Sequence, residues 1–210
     1  MWHDRSNCER KLGPMSRAPK DFFQPFREFF RPVLMGRIVL LTISYALLSY
    51  STLMFKVSDP STSPVWPAAG VGLAILVLYG TQLWPGIFLG AALSSWLQGQ
   101  SIPLSMMLGL SCVGGPWLGS HWLKRVGFNP NLERFSDILR LTALGALLAP
   151  WLTAISAALT LSVFGPNSIQ DLWKICLFWW SGDSVGVMIA ATLIFAWSQP
   201  GHKPLTVGRW

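Results

Sequence analysis

The chain has 210 residues, 51% of them hydrophobic and only 12% charged, with a mean hydropathy of +0.43 and a formal net charge of +7. A soluble domain of this size carries about twice that charged fraction, so composition excludes an ordinary soluble protein and leaves apolar runs of roughly 20 residues, enough to cross a bilayer. The basic residues sit at the ends of these runs and form no stripe on a polar helix, which excludes a nucleic-acid binder.

Residues 1–32 are polar, basic and rich in Arg and Pro, with an aromatic patch at Phe22, Phe23, Phe26, Phe29 and Phe30. The charged region is too long for a secretory signal peptide. This segment reads as a cytoplasmic tail, either a short interfacial helix with Arg27 and Arg31 opposite the phenylalanines or an unstructured arm. Residues 33–197 read as an integral membrane domain and 198–210 as a short cytoplasmic tail.

Six apolar runs follow the tail: about Ile38 to Phe55, Val65 to Tyr79, Leu83 to Leu97, Ile102 to Leu123, Leu141 to Phe164 and Ile175 to Trp197. The expected fold is an all-α polytopic transmembrane bundle of about six spans. The second and third runs are short and separated only by Gly80, Thr81 and Gln82, so they form a tight hairpin that is tilted, locally thinned or re-entrant. With the N-terminus placed in the cytoplasm, fourteen of the sixteen Lys and Arg fall on the cytoplasmic side and only Lys56 and Lys174 face outward. The positive-inside bias therefore favours both termini in the cytoplasm. Most of the tryptophans lie near span ends, where aromatic belts account for them.

Eight of the nine carboxylates fall in predicted loops or tails; the exception is Asp183, eight residues past Ile175. At helical rise it sits about 12 Å into the membrane, where an acidic group costs several kcal/mol and usually faces a bundle interior, a cavity or a partner. It is either a functional group or a packing residue hydrogen-bonded to Ser181, Ser184 or backbone. Gly86 with Gly90, Gly115 with Gly119, and Gly182 with Gly186 have the spacing that lets helix backbones approach closely, within the chain or across a dimer. Pro116 and Pro150 lie inside predicted spans and each removes a backbone donor. Cys8, Cys112 and Cys176 match no zinc or redox spacing, and the membrane-embedded ones read as small apolar side chains. His3, His121 and His202 are isolated, and Gly114-Gly115 lacks the Lys-Ser/Thr of a phosphate loop. No catalytic residue, metal site or cofactor is expected.

Three blocks, in this order and spacing, resemble the first type of the membrane-associated sensor (MASE) family of bacterial signalling proteins. They are Trp66-Pro67-Ala68-Ala69-Gly70-Val71-Gly72-Leu73-Ala74 leading to Gly80, Trp84-Pro85-Gly86-Ile87-Phe88-Leu89-Gly90, and Trp180-Ser181-Gly182-Asp183-Ser184-Val185-Gly186. Between them, Phe135-Ser136-Asp137-Ile138-Leu139-Arg140 resembles the family's inner-loop pattern, with Asp137 and Arg140 at the matching places. The resemblance covers about residues 38–197. It implies a sensory input module of the bacterial inner membrane, usually fused to a cytoplasmic histidine kinase or to an enzyme that makes or degrades cyclic di-GMP. The blocks nominate Asp183, Gly182, Trp180, Trp66, Pro67, Gly70, Trp84, Pro85 and Gly86 as ligand-binding or signalling residues.

Family members usually continue with further spans and an output domain, whereas this chain ends thirteen residues past Trp197 with no phosphoacceptor box or cyclase signature. It therefore reads as the sensor part only, a truncated product or a stand-alone sensor acting on a separate kinase or cyclase, with a homodimer possible by analogy with signalling proteins. The bilayer is its other partner. The competing reading is a small transporter or channel using Asp183 as an ion or proton site.

Overall fold

Proline opens and glycine closes several helices of this chain. In the computed structural model, which describes residues 32–53, 65–165 and 169–198, Pro67, Pro85 and Pro103 occupy the first turns of their helices. The N–H that proline lacks would have no intrahelical partner there. Gly80 at φ +109° ends one helix and Gly99 at φ +88° follows another, both in a region that L side chains rarely adopt. The aromatic patch of residues 22–30, Cys8, Lys56 and the tail from residue 199 lie outside the described residues.

The described residues form six helices and no strand: α1 Pro32–Leu53, α2 Pro67–Tyr79, α3 Trp84–Leu97, α4 Ile102–Arg125, α5 Phe135–Phe164 and α6 Leu172–Trp197. They follow the six apolar runs closely. The main differences lie at the N-terminal ends, where α1, α5 and α6 begin three to six residues earlier. The sequence Phe135–Arg140, expected in a loop, is the first turn and a half of α5. Helices α1, α4, α5 and α6 are long and apolar enough to cross a membrane. Helices α2 and α3, with 13 and 14 residues, reach only about 20 Å each.

The chain divides into two compact units, Met1–Met35 and Gly36–Trp210. The described part of the first is only the start of α1; the packing described here belongs to the second. Helix α4 contacts α2, α3 and α5, and α6 contacts α5 and α2. One apolar cluster joins Leu73, Leu123, Leu141, Val187 and Phe195; another joins Leu104, Leu108, Ala157, Leu161 and Ile175. On both α4 and α6 these clusters occupy opposite halves of the helix.

All three glycine pairs serve packing within the chain. A Cβ on Gly86 would lie 3.0 Å from the Ile38 carbonyl oxygen, and one on Gly90 2.8 Å from Tyr45 Cβ, so α3 lies close against α1. Gly115 and Gly119 meet α5 at Thr153 and Ala149, and the Gly115 N–H donates to Thr153 Oγ1 at 2.9 Å. Gly186 meets α2.

Basic residues gather at one end. Arg37 sits over the Tyr79 ring at 5.5 Å, and Lys124 Nζ donates to the carbonyl of Leu76, one turn before Tyr79. Arg140 bonds Asp137 Oδ1 at 3.1 Å and reaches the carbonyl of Gly127, just past α4. Lys174 pairs with Asp171 at the start of α6, the opposite end.

Candidate functional site

Helix α2 starts in the middle of the bundle because its first turn is docked on α6 through backbone. The Trp66 N–H donates to the carbonyl of Gly182 at 3.0 Å. A Cβ on Gly186 would overlap the Trp66 carbonyl oxygen, and a Cβ on Gly70 would overlap the Gly186 carbonyl oxygen. Thus Trp66, Pro67 and Gly70 of one block meet Gly182 and Gly186 of another, with Asp183 between the two glycines. Because α2 begins ten residues into α6, about 15 Å along it, the short second run is a helix of partial depth, not a complete crossing.

Asp183 is buried, 4% exposed, at the junction of the two apolar clusters. It faces a void of about 10 Å³ lined by Ala69 and Leu73 of α2, Gly115 and Pro116 of α4, Gly145 and Pro150 of α5, and Val187 of α6. That volume is close to the lower limit for one water molecule. The two prolines inside the predicted spans, Pro116 and Pro150, both border it. Each removes the N–H that would bond the carbonyl four residues earlier, Cys112 for Pro116 and Ala146 for Pro150.

Two residues that the sequence did not nominate complete the cluster. Tyr45, 1% exposed, brings its hydroxyl beside Trp66 and Cys112, and Asp183 lies within charge-interaction range of both Tyr45 and Cys112. Cys112, read from sequence as a small apolar side chain, is part of this polar group. Trp66 Nε1 and Ser184 Oγ are buried without a hydrogen-bond partner among the described residues. The mid-bundle group therefore holds a carboxyl, a phenol, a thiol and an indole in an apolar surrounding. Buried polar groups of this kind are held apart from water by the helices around them, so small shifts in helix position change their interactions strongly.

The remaining candidates lie elsewhere. Trp180 is two residues from Gly182 but faces α5, where its indole N–H donates to the Leu147 carbonyl at 2.9 Å and its ring stacks on Trp151 with centroids 5.2 Å apart. Residues Leu141–Leu148 form a π-helical stretch that ends two residues before Pro150, and the Trp180 indole donates to a carbonyl within it. Trp66 and Trp180 are thus partly buried residues that pack against neighbouring helices. Trp84, Pro85 and Gly86 open α3 against α1, away from Asp183; Trp84 is 40% exposed. That block reaches the cluster through Gly90, which seats Tyr45.

A second buried carboxylate, Asp137, is 1% exposed and organises the turn after α4. Its Oδ1 accepts from Arg140 Nη1 at 3.1 Å and from the Asn129 N–H at 3.3 Å. Among the described residues no group of three or more His, Cys, Asp or Glu is arranged to hold a metal ion.

The MASE1 family model matches residues 35–207, most of the chain. No curated protein and no solved structure matches it. The chain is a multi-pass membrane protein and belongs to the MASE1 family, the membrane-associated sensory domains of signalling proteins.

Proposed function

We propose that this chain is the sensory input module of a bacterial inner-membrane signalling system, with residues 33–197 as the sensory domain and both ends of the chain in the cytoplasm. Arg37, Lys124, Arg125 and Arg140 share one end of the bundle, where α6 also finishes, and the positive-inside bias supports placing that end inside. An output domain or a separate histidine kinase or cyclic di-GMP enzyme would read the state of α6 there. A homodimer is compatible with this reading, although the three glycine pairs are occupied within the chain.

The observation that carries the proposal is the docking of Trp66 and Gly70 on Gly182 and Gly186 around Asp183. A signal must bind two arrangements of the helices with different affinity. The π-helical stretch Val187–Ala191 begins four residues after Asp183, on the cytoplasmic side of it. Returning one π turn to α geometry shifts the helix beyond it by about 1.5 Å and roughly 100°, a change the C-terminal end of α6 would deliver to the output. The void at Asp183 holds at most about one water, which favours this reading over the small transporter or channel.

The test is a fusion of the whole chain to a cytoplasmic signalling output, comparing the wild type with Asp183→Asn. The expected result is a folded protein with normal yield whose output is locked on or off. An Asn variant that merely lowers yield and stability, with output still proportional to folded protein, would make Asp183 a packing residue and remove the proposal's mechanistic core.

A further inference from the structure

Away from the Asp183 cluster, a groove of about 430 Å³ opens between α1 and α2, lined by Arg37, Leu40, Leu41, Ser44, Val71, Ile75, Tyr79 and Leu83. Its volume lies within the ~300–1,000 Å³ range of ligand pockets. It is amphipathic along its length. Arg37 stands at one end over the Tyr79 ring, and the walls below it are Leu40, Val71 and Ile75. From Arg37 to Ser44 the groove runs about 10 Å along α1, a large part of one leaflet's hydrocarbon depth.

The charge at the mouth selects the occupant. The acidic residues among the described ones are Glu133, Asp137, Asp171 and Asp183, and none of them lines the groove. Asp137 and Asp171 are engaged with Arg140 and Lys174. Lys124, bonded to the Leu76 carbonyl, adds a second cation at the same end of α2. A guanidinium takes a phosphate group in a bidentate fork, and an apolar channel leading away from it suits an acyl chain.

We propose that this groove binds one anionic phospholipid of the leaflet at the Arg37 end, with its phosphate on Arg37 and one acyl chain along Leu40, Val71 and Ile75. The site is independent of the Asp183 reading, since it uses none of the same side chains. A lipid seated there also stands between α1, which carries Tyr45, and α2, which Trp66 precedes.

The test is native mass spectrometry of the whole chain released from vesicles containing equal amounts of phosphatidylglycerol and phosphatidylcholine with identical acyl chains. The expected result is one retained lipid, with phosphatidylglycerol favoured about fivefold, the factor that one cation contributes near an anionic headgroup. Arg37→Gln should abolish that preference while retaining phosphatidylcholine. Val71→Trp and Leu40→Trp, which fill the groove from opposite walls, should each reduce both lipids, and Arg125→Gln should leave the preference intact. The proposal is overturned by equal retention in the wild type, by groove-filling variants that keep the lipid, or by an Arg125→Gln effect as large as that of Arg37→Gln. Displacement of the lipid by inorganic phosphate alone would also overturn it, because the occupant would then be a free anion.

Discussion

The Trp66 N–H bonds the Gly182 carbonyl at 3.0 Å while the Trp66 carbonyl lies against the α-carbon of Gly186, so one residue of α2 spans a full turn of α6. Side chains cannot mediate contact this close; only glycine on α6 allows it. Gly186→Ala should therefore destabilise the folded protein by about 1–3 kcal/mol, as overpacking does in a filled core. Gly36 is the control, because a Cβ there meets nothing within 4 Å. Gly36→Ala should be neutral or slightly stabilising through helix propensity. Thermal unfolding in detergent of both variants checks the pair, and equal midpoints would mean that the α2–α6 contact yields without cost.

Trp180 offers a narrower test. Its indole donates to the Leu147 carbonyl within the π-helical stretch that precedes Pro150. Phenylalanine keeps the ring against Trp151 and removes only the donor. Trp180→Phe should cost about 0.5–1.5 kcal/mol, the range for hydrogen bonds between membrane helices. Trp173→Phe, whose ring also stacks near Trp151 at 6.1 Å, should cost less, because no indole hydrogen bond of Trp173 is seen among the described residues. Chemical denaturation of the two variants side by side decides between a donor role and simple ring packing for Trp180.

The helices were legible because their boundaries are chemical. Apolar runs stop near Gly80, Gly99 and the Lys124-Arg125 pair, and Pro85 and Pro103 mark the starts that follow the two glycines. Asp183 was legible because a carboxylate is costly at that depth. Tyr45 and Cys112 were not, since either residue in an apolar helix usually only packs, and their meeting depends on how Gly90 seats α1 and where α2 docks. Trp66 and Trp180 resembled belt residues because each lies within a few residues of the end of an apolar run. The partial depth of α2 moves Trp66 to the middle of the bundle, a consequence of a backbone contact that no periodicity encodes.

Asp137 and Arg140 should respond asymmetrically. Asp137 is 1% exposed and Arg140 is 37% exposed. Removing Arg140 leaves a buried carboxylate with one less donor, whereas removing the charge of Asp137 leaves an arginine that water can solvate. Arg140→Gln is expected to cost about 1–2 kcal/mol, and Asp137→Asn less, because Asn keeps an acceptor for the Asn129 N–H. Limited proteolysis of the 126–134 turn should follow the same order. The reverse order would place the main contribution of the pair in the contacts of Asp137 itself, with the Asn129 N–H among them.

The Asp183 cluster is best tested for coupling. Tyr45, Cys112 and Asp183 lie near one another in a surrounding of low polarity, so substitutions in the group should not add. Tyr45→Phe removes a hydroxyl and Asp183→Asn an ionisable oxygen, each with little change of shape. Their effects on stability in a double-mutant cycle should differ from additivity by more than about 0.5 kcal/mol, whereas distant sites add to within roughly 0.3–0.5 kcal/mol. Pairing Asp183→Asn with Trp173→Phe, at the far end of α6, supplies the additive reference. A cycle between Tyr45 and Asp183 that is as additive as this reference would mean the two groups share a location without sharing energy. A change at Asp183 would then reach α1 only by moving α2, and the cluster would act through helix position rather than through its polar contacts.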